Sequence, residues 1–213
     1  MFFFLSIFFA LLTVTFFIIY LFQSYKPTKL TISAPFGLGA YEFDRATLSE
    51  QELNISWKLY VQLTTRKTAI PIDEENDVIV EVYDSWYELF KTTREYLIEL
   101  PASELEGNEN AQEIVRLSLD VLNKGLRPHL TTWQGKYRKW YDNELKKETN
   151  EELSPQEVQR KYSKYPELIG EIKDVNKELA IYANELKRFS HEKPSNITTK
   201  SIKWIRDILD KFK

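Results

Sequence analysis

The 21 residues from Phe2 to Phe22, FFFLSIFFALLTVTFFIIYLF, carry no charge, and that run constrains the chain more than any other feature of its sequence. As a helix they would rise about 31 Å at ~1.5 Å per residue, which matches the roughly 30 Å hydrocarbon core of a bilayer. Helix is also the form that closes every backbone hydrogen bond within one segment, as hydrocarbon demands. Ser6, Thr13 and Thr15 are the clearly polar side chains, and each hydroxyl has a carbonyl one turn earlier to bond. Eight Phe among the first 22 residues leave no polar face, unlike a surface helix of a soluble bundle. A cleaved signal peptide would need a basic leader, a shorter apolar core and a small-residue cleavage site, whereas here QSYKPTKL follows the run directly. The expectation is a transmembrane anchor over residues 1–23, seated in the lipid bilayer through residues 2–22, with Tyr20 and Tyr25 near its exit.

Lys26, Lys29 and then Arg45 follow the run and no basic residue precedes it, so the positive-inside rule places the C-terminal portion in the cytoplasm. The predicted location is an inner or plasma membrane, crossed once. The sequons at Asn54 and Asn196 would matter only for a lumenal domain.

Residues 24–48 hold Pro27, Pro35, Gly37 and Gly39 without a helical period, and read as a juxtamembrane linker with an extended piece at Lys29–Ser33. Residues 49–213 then read as a cytosolic bundle of about six helices. Ser49 and Glu52 make a capping box ahead of Leu53, Trp57, Tyr60 and Val61, a helix that Pro71 would end. An acidic start at 73–77 leads into a stripe from Ile79 through Val82, Trp86 and Phe90 to Leu100, with VIVEV at its head open to a strand reading. A third helix is expected from Ala111 with Gly125 as its stop, and a fourth from Pro128 through Trp133, Tyr137 and Trp140. Ser154, Pro155 and Glu157 open a fifth, interrupted at Pro166.

Beyond Pro166, Leu168, Ile172, Val175, Leu179, Tyr182, Leu186 and Phe189 alternate in steps of four and three, a heptad seam over three repeats. So narrow a seam packs on one partner helix, either within an antiparallel bundle or across an oligomer or a protein partner. A last helix is expected at Thr199–Phe212, where Lys200, Lys203 and Arg206 accompany Trp204 and Phe212 in a pattern that could also sit at a bilayer interface. The fold class expected is thus all-α, with one N-terminal transmembrane helix.

Charge is unevenly distributed: residues 1–72 hold +2, residues 73–113 hold −11 and residues 114–213 hold +6. Side-by-side packing of acidic and basic helices explains this most simply. A second reading gives the basic half an anionic ligand. RPHLTTWQGKYRKWY, residues 127–141, interleaves Arg127, Lys136, Arg138 and Lys139 with aromatic rings, the ingredients of a nucleic-acid surface. Helical spacing nevertheless sends Trp133, Tyr137 and Trp140 to one side, as a core face would.

Catalytic signatures are missing. The chain has no Cys and 2 His, His129 and His191, neither with a Glu one turn away, so no metal or cofactor is expected. It contains no Gly-rich phosphate loop, GxSxG elbow or HExxH motif, and adjacent pairs such as Glu74–Glu75 point to different sides of a helix. The chain is expected not to be an enzyme.

WKLYVQLTTR from Trp57 and LRPHLTTWQGKYRKWYD from Leu126 resemble segments of uncharacterised bacterial proteins that have one N-terminal span and a cytosolic helical domain, a type associated with mobile and anti-phage defence loci. The resemblance implies a bacterial cytoplasmic membrane and transfers no catalytic residue. Together these readings predict a membrane-tethered helical scaffold that positions a protein partner, or a second copy, at the inner membrane face. The alternatives are a membrane-perturbing effector whose span oligomerises on triggering, and nucleic-acid sensing through the basic-aromatic helix.

Overall fold

Leu30 and Ile32 alternate with polar residues, and so do Tyr41 and Phe43, the pattern of strands with one buried face. β1 (Lys29–Ser33) and β2 (Ala40–Asp44) pair antiparallel, with Leu30 opposite Phe43 and Ile32 opposite Tyr41, and all four side chains are buried. The computed structural model describes residues 11–15 and 29–192. The rest of the expected span 2–22 and the expected last helix Thr199–Phe212 lie outside the described residues. Residues 11–15 are helical, and the Thr15 hydroxyl donates to the Leu11 carbonyl at 2.7 Å, one turn back. Among the described residues, no helix is long and apolar enough to cross a membrane.

The hairpin corrects the linker expected at 24–48, although the extended piece at Lys29–Ser33 coincides with β1. At its tip the Leu38 N–H donates to the Pro35 carbonyl at 3.2 Å, and the residues between, Phe36 and Gly37, have φ of 59° and 67°. Positive φ at both central residues is the twist a two-stranded ribbon favours, but Phe36 adopts it against its own Cβ. Two contacts hold Phe36 there. Its N–H donates to the Glu178 carboxylate at 2.6 Å, and its ring lies against Gly125, where a Cβ would stand 2.6 Å from ring Cε2.

The helices follow their start signals closely and their stop signals less so. α1 (Glu50–Thr64) begins at the complete Ser49–Glu52 capping box. It ends well before Pro71, because the Thr68 hydroxyl takes the Leu63 carbonyl at 2.6 Å and the Ala69 N–H takes it at 3.0 Å, turning the chain. α2 (Ile79–Ile98) makes VIVEV helical from its second residue, with Val78 as the extended N-cap, while the acidic residues 73–77 form a separate turn in which Asp73 accepts from the Glu75 N–H. The first donor of α2, which has no partner within the helix, is satisfied from elsewhere: the buried Ile79 N–H donates to the Gln159 side chain at 3.0 Å. After the one-turn α3 (Ala102–Leu105), α4 (Glu109–Asp120) is capped by the Asn108 side chain. Gly125 does not stop α4. The chain continues through a π-helical segment, Val121–Leu126, into α5 (Arg127–Glu144), with Pro128 in the first turn where its missing N–H leaves no bond unmade. α6 (Pro155–Gln159) starts at the Ser154–Glu157 capping box, and α7 (Tyr165–Ser190) carries Pro166 in its first turn.

α7 runs along α1, β1 lies on α7, β2 on α4, and α2 packs between α1 and α5. The centre is aromatic: Trp86, Tyr41, Tyr83, Tyr137, Phe43 and Phe189 are all but fully buried. The described chain is therefore mostly helical with a small two-stranded sheet, which corrects the all-α expectation at its N-terminal end.

Candidate functional site

Three elements bring a buried polar chain together. Tyr83 comes from α2, His129 and Trp133 lie one turn apart on the inner face of α5, and Glu171 comes from the start of α7. The network is complete with a neutral imidazole: Nδ1–H donates to the Glu171 carboxylate at 3.2 Å, and Nε2 accepts from the Tyr83 hydroxyl at 3.1 Å. The same Glu171 oxygen accepts from Trp133 Nε1 at 2.6 Å. Trp86 packs edge-on to both Tyr83 and His129 and donates its own Nε1–H to the Lys67 carbonyl at 3.0 Å. Burial lowers the His129 pKa, with the Glu171 carboxylate pulling the other way. Burial likewise pushes the Tyr83 hydroxyl far up.

This chain of bonds resembles an acid–base relay, but its accessibility argues for a strut. Tyr83 is fully buried, His129 is only 6% exposed, and both imidazole nitrogens are already engaged. A general base needs a free lone pair within reach of the proton it takes. The Glu171 carboxylate opens outward onto a shallow cleft of about 340 Å³, and His129 lines the floor of that cleft together with Pro128, Thr132 and Asp174. Among the described residues, no group of three or more His, Asp or Glu could hold a metal ion.

The heptad seam is occupied by the chain itself. Leu168, Ile172, Val175, Leu179, Tyr182, Leu186 and Phe189 are all buried, facing α1 and the hairpin. Phe189 meets Phe43 of β2 at a ring-centroid distance of 4.6 Å, and the Tyr182 hydroxyl lies 3.5 Å from that of Ser118 in α4. The seam read as partner-binding is thus the core of one chain, because the hairpin and α1 already cover it.

The anionic-ligand surface is not assembled either. Arg127 and Arg138 lie on one side of α5, towards α2: Arg127 covers the Phe90 ring at 5.2 Å, and Arg138 pairs with Asp84 at 2.5 Å. Lys136 and Lys139 are exposed, and a 100° turn per residue sends them to another side of the helix. Trp133, Tyr137 and Tyr141 face inward, with Tyr137 and Tyr141 stacked at 5.6 Å. Arg138, Arg160 and Lys173 from the basic half pair with Asp84, Glu75 and Glu74 from the acidic segment, which is the side-by-side packing expected from their opposite charge.

A second surface feature lies at the far end of α1 and α7. The two helices run antiparallel: Asn176 donates to the Thr68 and Ile70 carbonyls at one end, and at the other the Trp57 ring stands edge-on to His191 at 6.0 Å. Trp57 is 46% exposed beside a cleft of about 440 Å³ that Glu50, Asn54 and Glu99 line. Arg45, next to β2, pairs with Glu192 at 2.9 Å, and Lys29 at the start of β1 lies opposite Asp44. Lys29 and Glu192, the two ends of the described domain, therefore share one corner with Trp57.

Comparison of the chain with protein-family models, with curated proteins and with solved structures found no match. Tyr83 and Glu171 escaped sequence reasoning because they stand 46 and 42 residues from His129 and follow no spacing rule. The Trp57 corner was equally hidden, since Trp57 sits among the apolar stripe of its helix.

Proposed function

We propose that this chain is a non-enzymatic, membrane-tethered helical module that positions a protein partner, or a second copy of itself, at the cytoplasmic face of a bacterial membrane. One observation carries the reading: the charge-free run ending at Phe22 is followed by six residues and then by β1, a strand whose apolar side chains are locked into the core. Six residues span at most about 20 Å. A domain on so short a lead is held against the bilayer and gains a high local concentration for anything else there. The relay-like cluster supports the non-enzymatic part, since both imidazole nitrogens of His129 are engaged in holding α2, α5 and α7 together. A partner would have to use the outer surface, because the heptad seam is filled.

Alkaline carbonate extraction of membranes tests the tether: the chain should stay in the membrane fraction, and Leu11→Arg combined with Leu12→Arg should release it. Protease added to inside-out vesicles should reach the domain, and protease added to intact spheroplasts should not. Carbonate release of the unaltered chain would overturn the reading, and digestion from the outside would reverse the orientation.

A further inference from the structure

The last turn of α7 stands between β1 and α1. On one side Arg188 donates to the Thr31 carbonyl of β1 at 2.5 Å, two residues from the start of that strand at Lys29. On the other, the Lys187 ammonium lies over the Tyr60 ring at 5.8 Å. His191, whose Nδ1–H donates to the Lys187 carbonyl at 2.6 Å, meets the Trp57 ring edge-on, and Trp57 touches Tyr60 at a centroid distance of 5.3 Å. Lys187, Arg188 and His191 are exposed and Trp57 is half-exposed. Trp and Tyr rings beside Lys and Arg are the side chains favoured at a membrane–water interface, because each joins an apolar body to a polar tip. Charge selects the kind of interface. Glu42, Glu185, Glu192 and Glu99 are paired with Lys29, Arg188, Arg45 and Lys58, and in the remaining balance Lys187 stands against Asp44 and Glu50. A face without excess positive charge gains nothing from anionic lipid, so a zwitterionic surface suits it.

We propose that Trp57, Tyr60 and the last turn of α7 form the face that the domain lays on the zwitterionic phospholipid headgroups of the membrane holding the N-terminal run. The inference rests on the tethered reading above, which supplies the proximity. Thr31, the residue that Arg188 grips, comes nine positions after Phe22, a reach of at most about 32 Å. One attachment leaves the domain free to pivot on its lead, and the face adds a second that fixes its direction. Asn176, which holds the Ile70 carbonyl, precedes His191 by 15 positions along α7. At ~1.5 Å per residue the Ile70 end then stands up to about 22 Å farther from the headgroups.

The chain has no Cys, so Asn54→Cys and Ile70→Cys each give one exposed site for a fluorophore, the first a turn from Trp57 and the second at the far end. The full chain is reconstituted into phosphatidylcholine vesicles that carry a nitroxide quencher on the headgroup. The label at 54 should be quenched several-fold more than the label at 70, and high salt should leave the difference in place, since the contact is not one of net charge. A flexible Gly/Ser stretch inserted after Tyr25 to double the lead separates contact from mere nearness. The difference should survive in the lengthened chain and vanish there on Trp57→Ser, a change at a half-exposed position. Equal quenching at the two sites, loss of the difference on lengthening, or its persistence in Trp57→Ser would each overturn the proposal. Carbonate extraction of the same samples reads the tether separately. Release of a chain whose 54 label was selectively quenched refutes the tether and upholds the face, whereas retention with equal quenching refutes the face alone.

Discussion

Gly125→Ala should change the sign of its effect according to the residue at position 36. Gly125 lies in the π-helical segment between α4 and α5, and its backbone is not in the left-handed region, so alanine is conformationally welcome. On helix propensity alone the substitution would stabilise by about 1 kcal/mol. The Phe36 ring opposes it: a Cβ would stand 2.6 Å from Cε2 and 2.9 Å from Cγ, far inside van der Waals contact. That ring cannot simply swing away, because the Phe36 backbone sits at φ 59° and is tied to Glu178. Overpacking against a held group costs roughly 1–3 kcal/mol, and the pinned backbone argues for the upper half of that range. The net expectation is a destabilisation of about 1–2 kcal/mol in the native background. With Phe36→Ala already present the clash is gone, and Gly125→Ala should stabilise by up to about 1 kcal/mol, a coupling of roughly 2–3 kcal/mol between the two positions. Urea unfolding in mild detergent, followed by tryptophan fluorescence, reads all four corners of the cycle. Equal destabilisation in both backgrounds would refute the packing of the hairpin tip on Gly125.

Three further perturbations bear on the core and its polar strut. His129 is pushed below its ordinary value of 6.5 in the folded chain, so the unfolded chain binds the extra proton first. Its contribution to stability should be intact above about pH 6.5 and fall as pH drops from there through the lower folded value, a loss that His129→Gln should abolish in urea midpoints taken between about pH 7.5 and 5. Wild-type stability that rises on acidification relative to His129→Gln would contradict this. Asn176→Leu leaves the Thr68 and Ile70 carbonyls without their donor and should cost about 2–4 kcal/mol in the same assay, and a neutral result would show that neither bond matters. Leu179→Ala empties a fully buried position and should cost about 2–5 kcal/mol with no change in association state by light scattering, whereas dissociation of an oligomer at unchanged stability would put the seam at an interface.

Much of the helical framework was legible because its signals are local. The Ser49 and Ser154 boxes need only a hydroxyl and a carboxylate three residues apart, and both are formed. Pro128 marks a first turn for the same reason, since a missing N–H is harmless only there, whereas Pro166, expected as an interruption, stands in the first turn of α7. The seven-residue seam announced a buried stripe, but its spacing could not say which surface would cover it. The hairpin looks like a linker in the sequence because its two strands are five residues long and lie beside prolines and glycines that resemble punctuation. Gly125 looks like a helix stop because a glycine there has the same local meaning whether the helix ends or the Phe36 ring needs the room.

The charge-free run, the helical periods, the caps and the opposed charges of the two halves belong to the sequence alone, since each depends on neighbours within a turn or two or on plain composition. Tertiary structure decided what those elements meet. It closed the heptad seam with α1 and the hairpin, it took Arg138 out of the expected anionic-ligand surface as a partner of Asp84, and it paired Arg160 and Lys173 of the basic half with Glu75 and Glu74. It also joined His129 to Tyr83 and Glu171 and brought Lys29 and Glu192 to one corner. Each of these joins residues tens of positions or more apart in the chain. Such pairings are set by the burial and geometry of whole elements, for which a linear spacing carries no code.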